Sequence, residues 1–455
     1  MIPLIANVLT IMTTRIKSAG SIHREVLRLA LPSILANITV PLVGMVDVAI
    51  AGHISNASAI GGIAIGTMLF DLLYWNFGFL RVGTGGMTAQ AFGRRDFAAA
   101  AEIFVQSISI AIGAALFIWL IAWPFLTGVM ALVPCSDEVS AFARRYFFVR
   151  IWAAPATLSL MAFKGWFIGM QDTVSPMICD IVVNVVNMFA SFALAVWSPL
   201  GAIGVAWGTL IAQYTGLAVA VTLLVVRYRQ HFAGLNVRSC LTRSKLRRLF
   251  VLNGNLFIRS LCFMVVYVGF TSLTSKYGDG PLAVSSIMMK LFMLFSYFID
   301  GFAYAGEALT GRFFGEQSRE RLAKAVRVLF AWTIGVGLVF TLLYALWGEG
   351  MVRLMTSDRI VIEGSHPFLP WLVAMPLVSC VAFMWDGVFV GATASSSMRN
   401  AMIGAAVGFV IACLVLQPLW GIQAIYVGYF VHLIVRAIWL TFAWPKVFSR
   451  CEKEQ

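Results

Sequence analysis

The sequence predicts an all-α polytopic membrane protein with twelve transmembrane helices in two six-helix bundles. Of its 455 residues, 60% are hydrophobic and only 12% are charged, whereas charged residues make up about 25% of a typical soluble domain. A transmembrane helix needs about 20 predominantly apolar residues. Twelve apolar runs meet this requirement, at about 29–52, 60–82, 98–124, 141–169, 174–197, 202–226, 249–275, 281–305, 325–348, 366–391, 400–417 and 421–444.

The first run, Leu29 to Gly52, combines a carboxylate with two helix-disturbing residues. It contains Asp47 together with Pro32 and Pro41. A charge at a helix centre costs about 2.5–3.5 kcal/mol on insertion scales, and proline lets a helix bend and leaves carbonyl groups free. This combination favours a moving helix that handles a cation. The alternative is an acid near the helix end that faces lipid headgroups.

The distribution of basic residues predicts the orientation in the membrane. Cytoplasmic loops of membrane proteins are enriched in Lys and Arg. The segment from Arg227 to Arg248 holds seven basic residues and no acid, and Arg94 and Arg95 follow the second run. We therefore expect this segment and both termini to be cytoplasmic, in a protein of the cell inner membrane. The formal net charge of +13 then reflects topology and anionic lipid, and we expect no nucleic-acid partner.

The chain also repeats itself with an offset of 222 residues. Met87–Gly93 aligns with Leu309–Gly315, and Phe167-x-Gly169 aligns with Phe389-x-Gly391. An even number of helices per repeat relates the two lobes by a pseudo-two-fold axis along the membrane normal, which suggests alternating access. The predicted units are an N-terminal lobe (1–226), a basic cytoplasmic linker (227–248) and a C-terminal lobe (249–455).

Several motifs run through both halves of the chain. They are Pro41-x4-Val46-Asp47-x4-Gly52, Gly85-Gly86-x3-Gln90-Ala91-x-Gly93, Tyr146-x3-Arg150-x4-Pro155, Gly165-Trp166-Phe167-x-Gly169-x-Gln171-Asp172, Gly204-Val205-Ala206-Trp207-Gly208-Thr209 and Asp300-Gly301-Phe302-Ala303-x2-Gly306-Glu307. In these motifs the chain resembles the multidrug and toxic compound extrusion (MATE) transporters, in particular the DinF branch. The resemblance implies a twelve-helix, two-lobe exporter of cationic lipophilic compounds, driven by a proton or sodium gradient.

The resemblance also suggests site residues. The family's first-helix acid corresponds to Asp47, its fifth-helix asparagine to Asn187 and its fourth-helix tyrosine to Tyr146. Some members carry a second acid four residues after that asparagine, where this sequence has Ser191. This departure leaves Asp47 as the main ionisable candidate in the N-terminal lobe and favours proton coupling over sodium coupling.

Neutral oxygen donors complete the predicted coupling site. Asn184, Asn187 and Thr209 can hydrogen-bond the acid or contribute to a sodium shell, because hard cations prefer oxygen ligands. The alternative for both asparagines is a structural bridge between helices. We place Tyr146 and Asp300 in the substrate cavity, although Tyr146 fits an interfacial anchor equally well.

Further charges in the C-terminal half lie within apolar runs. Asp300 and Glu307 are two turns apart on one helix, and with Lys290 and Arg259 they suggest an intramembrane charge network. Asp386, in the tenth helix, is a further charge that could belong to such a network or to a structural pair. Structural pairing is the favoured interpretation, since buried charges need partners.

Other function classes have less support. None of the seven cysteines has metal-ligand spacing, and no nucleophile–base pair is visible, so we expect no enzyme, no metal and no cofactor beyond the coupling ion. The leading hypothesis is a monomeric, cation-coupled multidrug antiporter that takes small cationic substrates and contacts membrane lipid. The alternative is a lipid-linked oligosaccharide flippase of the same superfamily, which would need a broad basic cavity for phosphates.

Overall fold

The computed structural model describes residues 22–54, 57–133 and 135–452, and helices are the regular structure throughout these residues. The first eight helices are α1 (Ile22–Ile54), α2 (Ala57–Trp75), α3 (Phe79–Gly93), α4 (Phe97–Leu132), α5 (Asp137–Arg150), α6 (Ala154–Gly169), α7 (Val174–Val196) and α8 (Gly204–Tyr228). The remaining helices are α9 (Val237–Cys240), α10 (Arg243–Ser275), α11 (Asp279–Gly315), α12 (Arg319–Met355), α13 (Arg359–Ser365), α14 (Leu369–Gly391), α15 (Ser395–Trp420) and α16 (Gln423–Phe448).

These helices form the predicted membrane spans. Within the described residues, eleven helical segments are long and apolar enough to cross a membrane, and α1 is a further helix of 33 residues. Three spans consist of two helices joined by a 3-10 turn: α2 with α3, α5 with α6, and α13 with α14. The predicted fold class is thereby confirmed.

The helices extend beyond the apolar runs. The eighth span, predicted to end near residue 305, continues to Gly315, and the seventh begins at Arg243, ahead of the predicted residue 249. Hydropathy marks only the part of a helix that lies in the hydrocarbon. Because a helix satisfies its own backbone hydrogen bonds, it can continue beyond that boundary. The boundaries of the lobes and the linker stay predictions, and the N-terminal residues 1–21 lie outside the described part.

The offset of 222 residues recurs in the three-dimensional structure. The second span ends at Gly93 and the eighth at Gly315; the fourth ends at Gly169 and the tenth at Gly391. Each end is followed two residues later by a left-handed residue. These are Arg95 (φ 59°), Gln171 (φ 62°), Gln317 (φ 54°) and Thr393 (φ 52°). The two lobes thus repeat the same turns at equivalent positions.

Helix α3 lies against α11 across the interface between the lobes, and glycines allow the close approach. A Cβ atom added at Gly93 would lie 2.0 Å from the carbonyl oxygen of Arg312, and one added at Gly315 would lie 2.1 Å from that of Gln90. Gln90 and Arg312 are related by the repeat offset, so the contact is reciprocal. Small residues at such interfaces let helix backbones pack directly.

The contacts between the lobes lie towards one end of the molecule. Helix α3 packs against α10, α11 and α14, and the first half of α1 packs against α11. In contrast, α2 packs on α5 within its own lobe, and α13 packs on α11 and α12 within the other. The lobes are therefore joined at the end that the basic residues predict to be cytoplasmic.

The linker is docked on the N-terminal lobe. Lys245 donates to Glu102 of α4 at 2.7 Å, and Gln106 of α4 donates to the carbonyl oxygen of Cys240 at 3.0 Å. The Cys240 side chain is fully buried, whereas its neighbour Ser239 is exposed. The basic segment is thus a folded connection between the lobes over these residues.

Candidate functional site

A polar cluster joins α7 and α8 in the middle of the N-terminal lobe. The side-chain amide of Asn187 donates to Thr209 Oγ1 at 3.0 Å. The Thr209 hydroxyl in turn donates to the carbonyl oxygen of Val205 at 3.1 Å, so its lone pairs must accept the amide hydrogen. This order leaves the amide oxygen of Asn187 buried and without a hydrogen-bond partner among the described residues. The predicted pair Asn187 and Thr209 is therefore in direct contact.

The second predicted asparagine connects α7 to α1. Asn184 donates to the hydroxyl of Thr39, which donates to the carbonyl oxygen of Ala36 at 2.7 Å. Asp47 is eight residues further along α1, a rise of about 12 Å. Because the first and fifth spans run in the same direction, position 47 is near the level of Ser191. The side chain of Asp47 lies outside the part of the chain that the structure describes.

Ser191 is the residue at which the resemblance suggests a second acid in some members of the family. Its side chain is fully buried, and its hydroxyl donates to the carbonyl oxygen of Val205 at 3.5 Å. A Cβ atom added at Gly208 of α8 would lie 2.4 Å from Ser191 Oγ. The tight packing of α7 on α8 therefore suits a small side chain at this level.

An ion pair that the sequence reasoning missed extends the same helix face. Asp180 of α7 pairs with Lys164 of α6. Asp180, Asn184 and Asn187 are spaced by four and three residues, which places them on one side of a helix. This spacing, with an acid inside an apolar run, was the available signal.

Tyr146 lies inside the N-terminal lobe. Its side chain is 1% exposed, and its hydroxyl accepts a hydrogen bond from Arg150 at 3.2 Å. A Cβ atom added at Gly66 of α2 would lie 2.4 Å from the tyrosine ring. In this conformation Tyr146 packs between α5 and α2, and its assignment to the substrate cavity stays a prediction.

The charge network of the C-terminal lobe differs from the expected one. Asp386 of α14 pairs with Arg259 of α10 and accepts a hydrogen bond from Arg436 of α16 at 3.1 Å. Arg436 is 2% exposed, whereas Lys290 is exposed and takes part in none of the ion pairs among the described residues. The sequence reasoning therefore wrongly included Lys290 and omitted Arg436, because the helix face turned to the bundle centre depends on how α10, α14 and α16 pack.

The partner of Glu307 comes from the other lobe. Arg81 Nη1 of α3 lies 3.0 Å from Glu307 Oε2, and the Arg81 guanidinium carbon lies 4.4 Å from the centroid of the Tyr304 ring. Asp300 is half-buried on the same helix, and the charges of Arg81, Arg259, Asp386 and Arg436 act on it. The expected pairing within the C-terminal lobe is thus replaced by an ion pair between the lobes. A lone arginine inside the second apolar run was the signal that the sequence reasoning missed.

The described side chains of the site form no cluster typical of transition-metal binding. Among the described residues, no group of three or more His, Cys, Asp or Glu side chains can hold a metal ion. The N-terminal cluster presents hydroxyl and amide groups, which can hydrogen-bond a titrating acid or serve as neutral oxygen ligands of a hard cation.

Comparison with known proteins identifies the family. The MatE family model matches residues 32–193 and 256–416, which lie in the two halves of the chain. The chain is 34% identical over 420 residues to DNA damage-inducible protein F of Escherichia coli, covering 92% of this chain and 91% of that protein. It is 25% identical over 367 residues to the probable multidrug resistance protein NorM of Thermotoga maritima, covering 75% and 74%.

Solved structures show the same fold. A crystal structure of MATE in complex with MaL6 matches with a TM-score of 0.86 at 17% identity, covering 95% of this chain and 98% of that chain. An outward-facing MATE family transporter matches with a TM-score of 0.85 at 17% identity, covering 95% and 97%. The chain therefore belongs to the MatE family of multidrug and toxic compound extrusion transporters, and it is a multi-pass membrane transporter and not an enzyme.

Proposed function

We propose that this protein is a proton-coupled antiporter that exports cationic lipophilic compounds across the cell inner membrane by alternating access. It acts as a monomer surrounded by lipid, with both termini cytoplasmic. The observation that carries the proposal is the buried polar cluster of α7 and α8, which is tied to the Asp47 helix through Asn184 and Thr39.

The unpartnered amide oxygen of Asn187 is compatible with a proton as the coupling ion, and the hydroxyl at Ser191 favours a proton over sodium. A protonated carboxyl group donates a hydrogen bond, and an ionised one only accepts. Asn187 presents a buried acceptor, which suits the protonated form of an acid on α1. At the level where a second carboxylate would strengthen a sodium shell, this chain has the hydroxyl of Ser191.

The pairing of the arginines supports a cationic substrate over a lipid-linked phosphate. Arg81 pairs with Glu307, while Arg259 and Arg436 share Asp386. A phosphate-binding cavity needs guanidinium groups free to form bidentate contacts. These three arginines already have carboxylate partners, which argues against the flippase alternative.

The relative position of the lobes supports alternating access. The lobes meet near the predicted cytoplasmic end, through α3, α11 and the first half of α1. With the predicted orientation this is an outward-facing state. Transport then requires a second state in which these contacts separate.

Proteoliposomes loaded with a fluorescent cation such as ethidium test the proposal, with the pH and sodium gradients imposed separately. We expect a pH gradient alone to drive export, and a sodium gradient at equal pH to drive none. Export driven by sodium alone would contradict proton coupling. Movement of an anionic lipid-linked oligosaccharide, with no movement of ethidium under either gradient, would favour the flippase.

A further inference from the structure

Three residues form a continuous face on α11 towards the other lobe. Asp300, Tyr304 and Glu307 are spaced by four and three residues, which places them on one side of the helix; we name them the acidic face. Arg81 enters this face from α3. Its guanidinium group stacks over the ring of Tyr304 at 4.4 Å and pairs with Glu307 at 3.0 Å, and the charge of Asp300 also acts on it.

The acidic face breaks the internal symmetry of the molecule. With the repeat offset, its three positions correspond to Gly78, Val82 and Gly85 of the N-terminal lobe, which are small or apolar. Elsewhere the closure of the lobes is reciprocal, as the packing of Gly93 and Gly315 shows. The reciprocal contacts can therefore close the lobes without the acidic face, which only the C-terminal lobe carries.

Arg81 does not satisfy the acidic face completely. Glu307 is 1% exposed, and its Oε1 atom has no hydrogen-bond partner among the described residues. This oxygen faces Gly85, where an added Cβ atom would lie 1.8 Å away. The carboxylate thus pairs with Arg81 through Oε2, while Oε1 remains an unused hydrogen-bond acceptor.

The chemistry of the acidic face is that of a receptor for organic cations. An aromatic ring attracts a cation placed over its face, and two carboxylates flank the ring. The same helix face therefore combines an aromatic surface with negative charge on both sides.

We propose that the acidic face binds the cationic group of the substrate when the lobes separate at the cytoplasmic end, and that Arg81 occupies it as a tethered substitute when they close. This inference rests on the proposed function. A buried carboxylate without its cation is strongly unfavourable, and the exchange avoids that state. In the open state the substrate neutralises Glu307; on closure Arg81 replaces the substrate, which moves to the outward-facing side.

Equilibrium binding of tetraphenylphosphonium to the full-length protein in lipid nanodiscs, without any gradient, tests the site. Removing the tethered substitute with Arg81→Ala should lower the Kd at least tenfold, which corresponds to about 1.4 kcal/mol. Arg81→Lys, which keeps a tethered cation, should gain much less. In the Arg81→Ala background, Tyr304→Phe should keep the gain, because the ring remains, and Tyr304→Leu should lose it.

A purely structural role for Arg81 gives a different result. If Arg81 only holds the lobes together, the gain in Arg81→Ala survives both Tyr304→Leu and Glu307→Gln, and this outcome overturns the proposed site. An Arg81→Ala protein that is monodisperse and binds no better than wild type overturns it as well. Glu349→Gln is the matched control, since it neutralises a partly exposed carboxylate that pairs with Arg353 within α12; it should leave the Kd unchanged.

Transport measured in parallel separates this inference from the proposed function. If the protein exports the cation but substitutions of Tyr304 and Glu307 do not affect binding, the proposed site is wrong and the proposed function stands. If binding follows the predicted pattern but the protein exports no cation under any gradient, the site stands and the proposed function is wrong.

Discussion

At the scale of single residues, three of the carboxylates within the membrane spans are held in ion pairs. Glu307 pairs with Arg81, Asp180 pairs with Lys164, and Asp386 is shared by two arginines. A buried charge without a partner is far more costly than a buried pair, so these contacts support the folded state as well as any function. Variants that change transport without changing stability, or stability without changing transport, are needed to separate the structural role from the functional one.

Asp47→Asn should abolish gradient-driven export and leave folding intact. The amide imitates the protonated acid permanently, so the side chain cannot cycle between its two charge states. Removing an ionisable group also removes a desolvation cost, so we expect normal insertion and thermal stability. Export of ethidium from proteoliposomes under a pH gradient is the measurement.

Two further variants calibrate this result. Asp47→Glu should retain partial export, because the titrating group remains at a shifted position. Glu363→Gln, which neutralises an exposed acid on α13, should export at the wild-type rate. A well-expressed Asp47→Asn protein with wild-type export would return Asp47 to the role of an acid that faces lipid headgroups.

Asp386→Asn should lower stability mainly through Arg436. The substitution leaves a 2% exposed guanidinium without its carboxylate, and breaking a buried pair typically costs about 3–5 kcal/mol. The midpoint of thermal unfolding in detergent should fall clearly. The double variant Asp386→Asn with Arg436→Met should recover much of the loss, since the fully buried arginine is then gone and the remaining partner, Arg259, is 22% exposed; a double variant as unstable as the single one would contradict structural pairing.

At the scale of helices, the interface between the lobes is made by elements that sequence patterns describe poorly. The Gly-rich stretch from Gly83 to Gly86 lies inside α3, where three of these positions approach the other lobe or α6 closely. In a water-soluble chain such a stretch suggests a loop. Here the helix persists because backbone groups within a membrane must satisfy one another, and the glycines serve close packing.

The linker helix α9 provides a test of the topology. Cys240 is fully buried against α4, so it is a poor labelling site, and its exposed neighbour Ser239 is the better one. In a cysteine-free background, Ser239→Cys should react with a membrane-impermeant maleimide only after the cells are opened. Labelling in intact cells would place the linker outside and reverse the predicted orientation.

At the scale of the whole molecule, the two lobes must separate where they now touch. The Phe79 ring of α3 and the Phe257 ring of α10 lie 6.3 Å apart between centroids, across the lobe interface. In a cysteine-free background, cross-linking Phe79→Cys to Phe257→Cys with a short cleavable bifunctional reagent should stop export, because it holds the lobes closed at this end. Cleavage of the linker should restore export.

Matched controls define the meaning of this result. Each single-cysteine variant treated with the same reagent should export normally. Full export by the cross-linked double variant would show that this interface stays closed throughout the cycle, which would contradict alternating access through these contacts.

The sequence by itself determined the membrane class, the twelve spans and the repeat. It also placed Asn184 and Asn187 on one face of a helix. These properties are local: span length follows from hydrophobic thickness, and the face of a helix follows from its period of 3.6 residues. The offset of 222 residues also relates the ends of α3 and α11, at Gly93 and Gly315, whereas the apolar runs predicted ends near residues 82 and 305.

Only the tertiary structure decided which charges meet. Arg81 and Glu307 are 226 residues apart in the chain, and Arg259, Asp386 and Arg436 come from three helices of one lobe. Helical periodicity predicts which residues share a face, but the partner of that face depends on the rotation and packing of whole helices. The pairing of Arg81 with Glu307 further depends on which end of the lobes is closed, because that closure brings α3 onto α11.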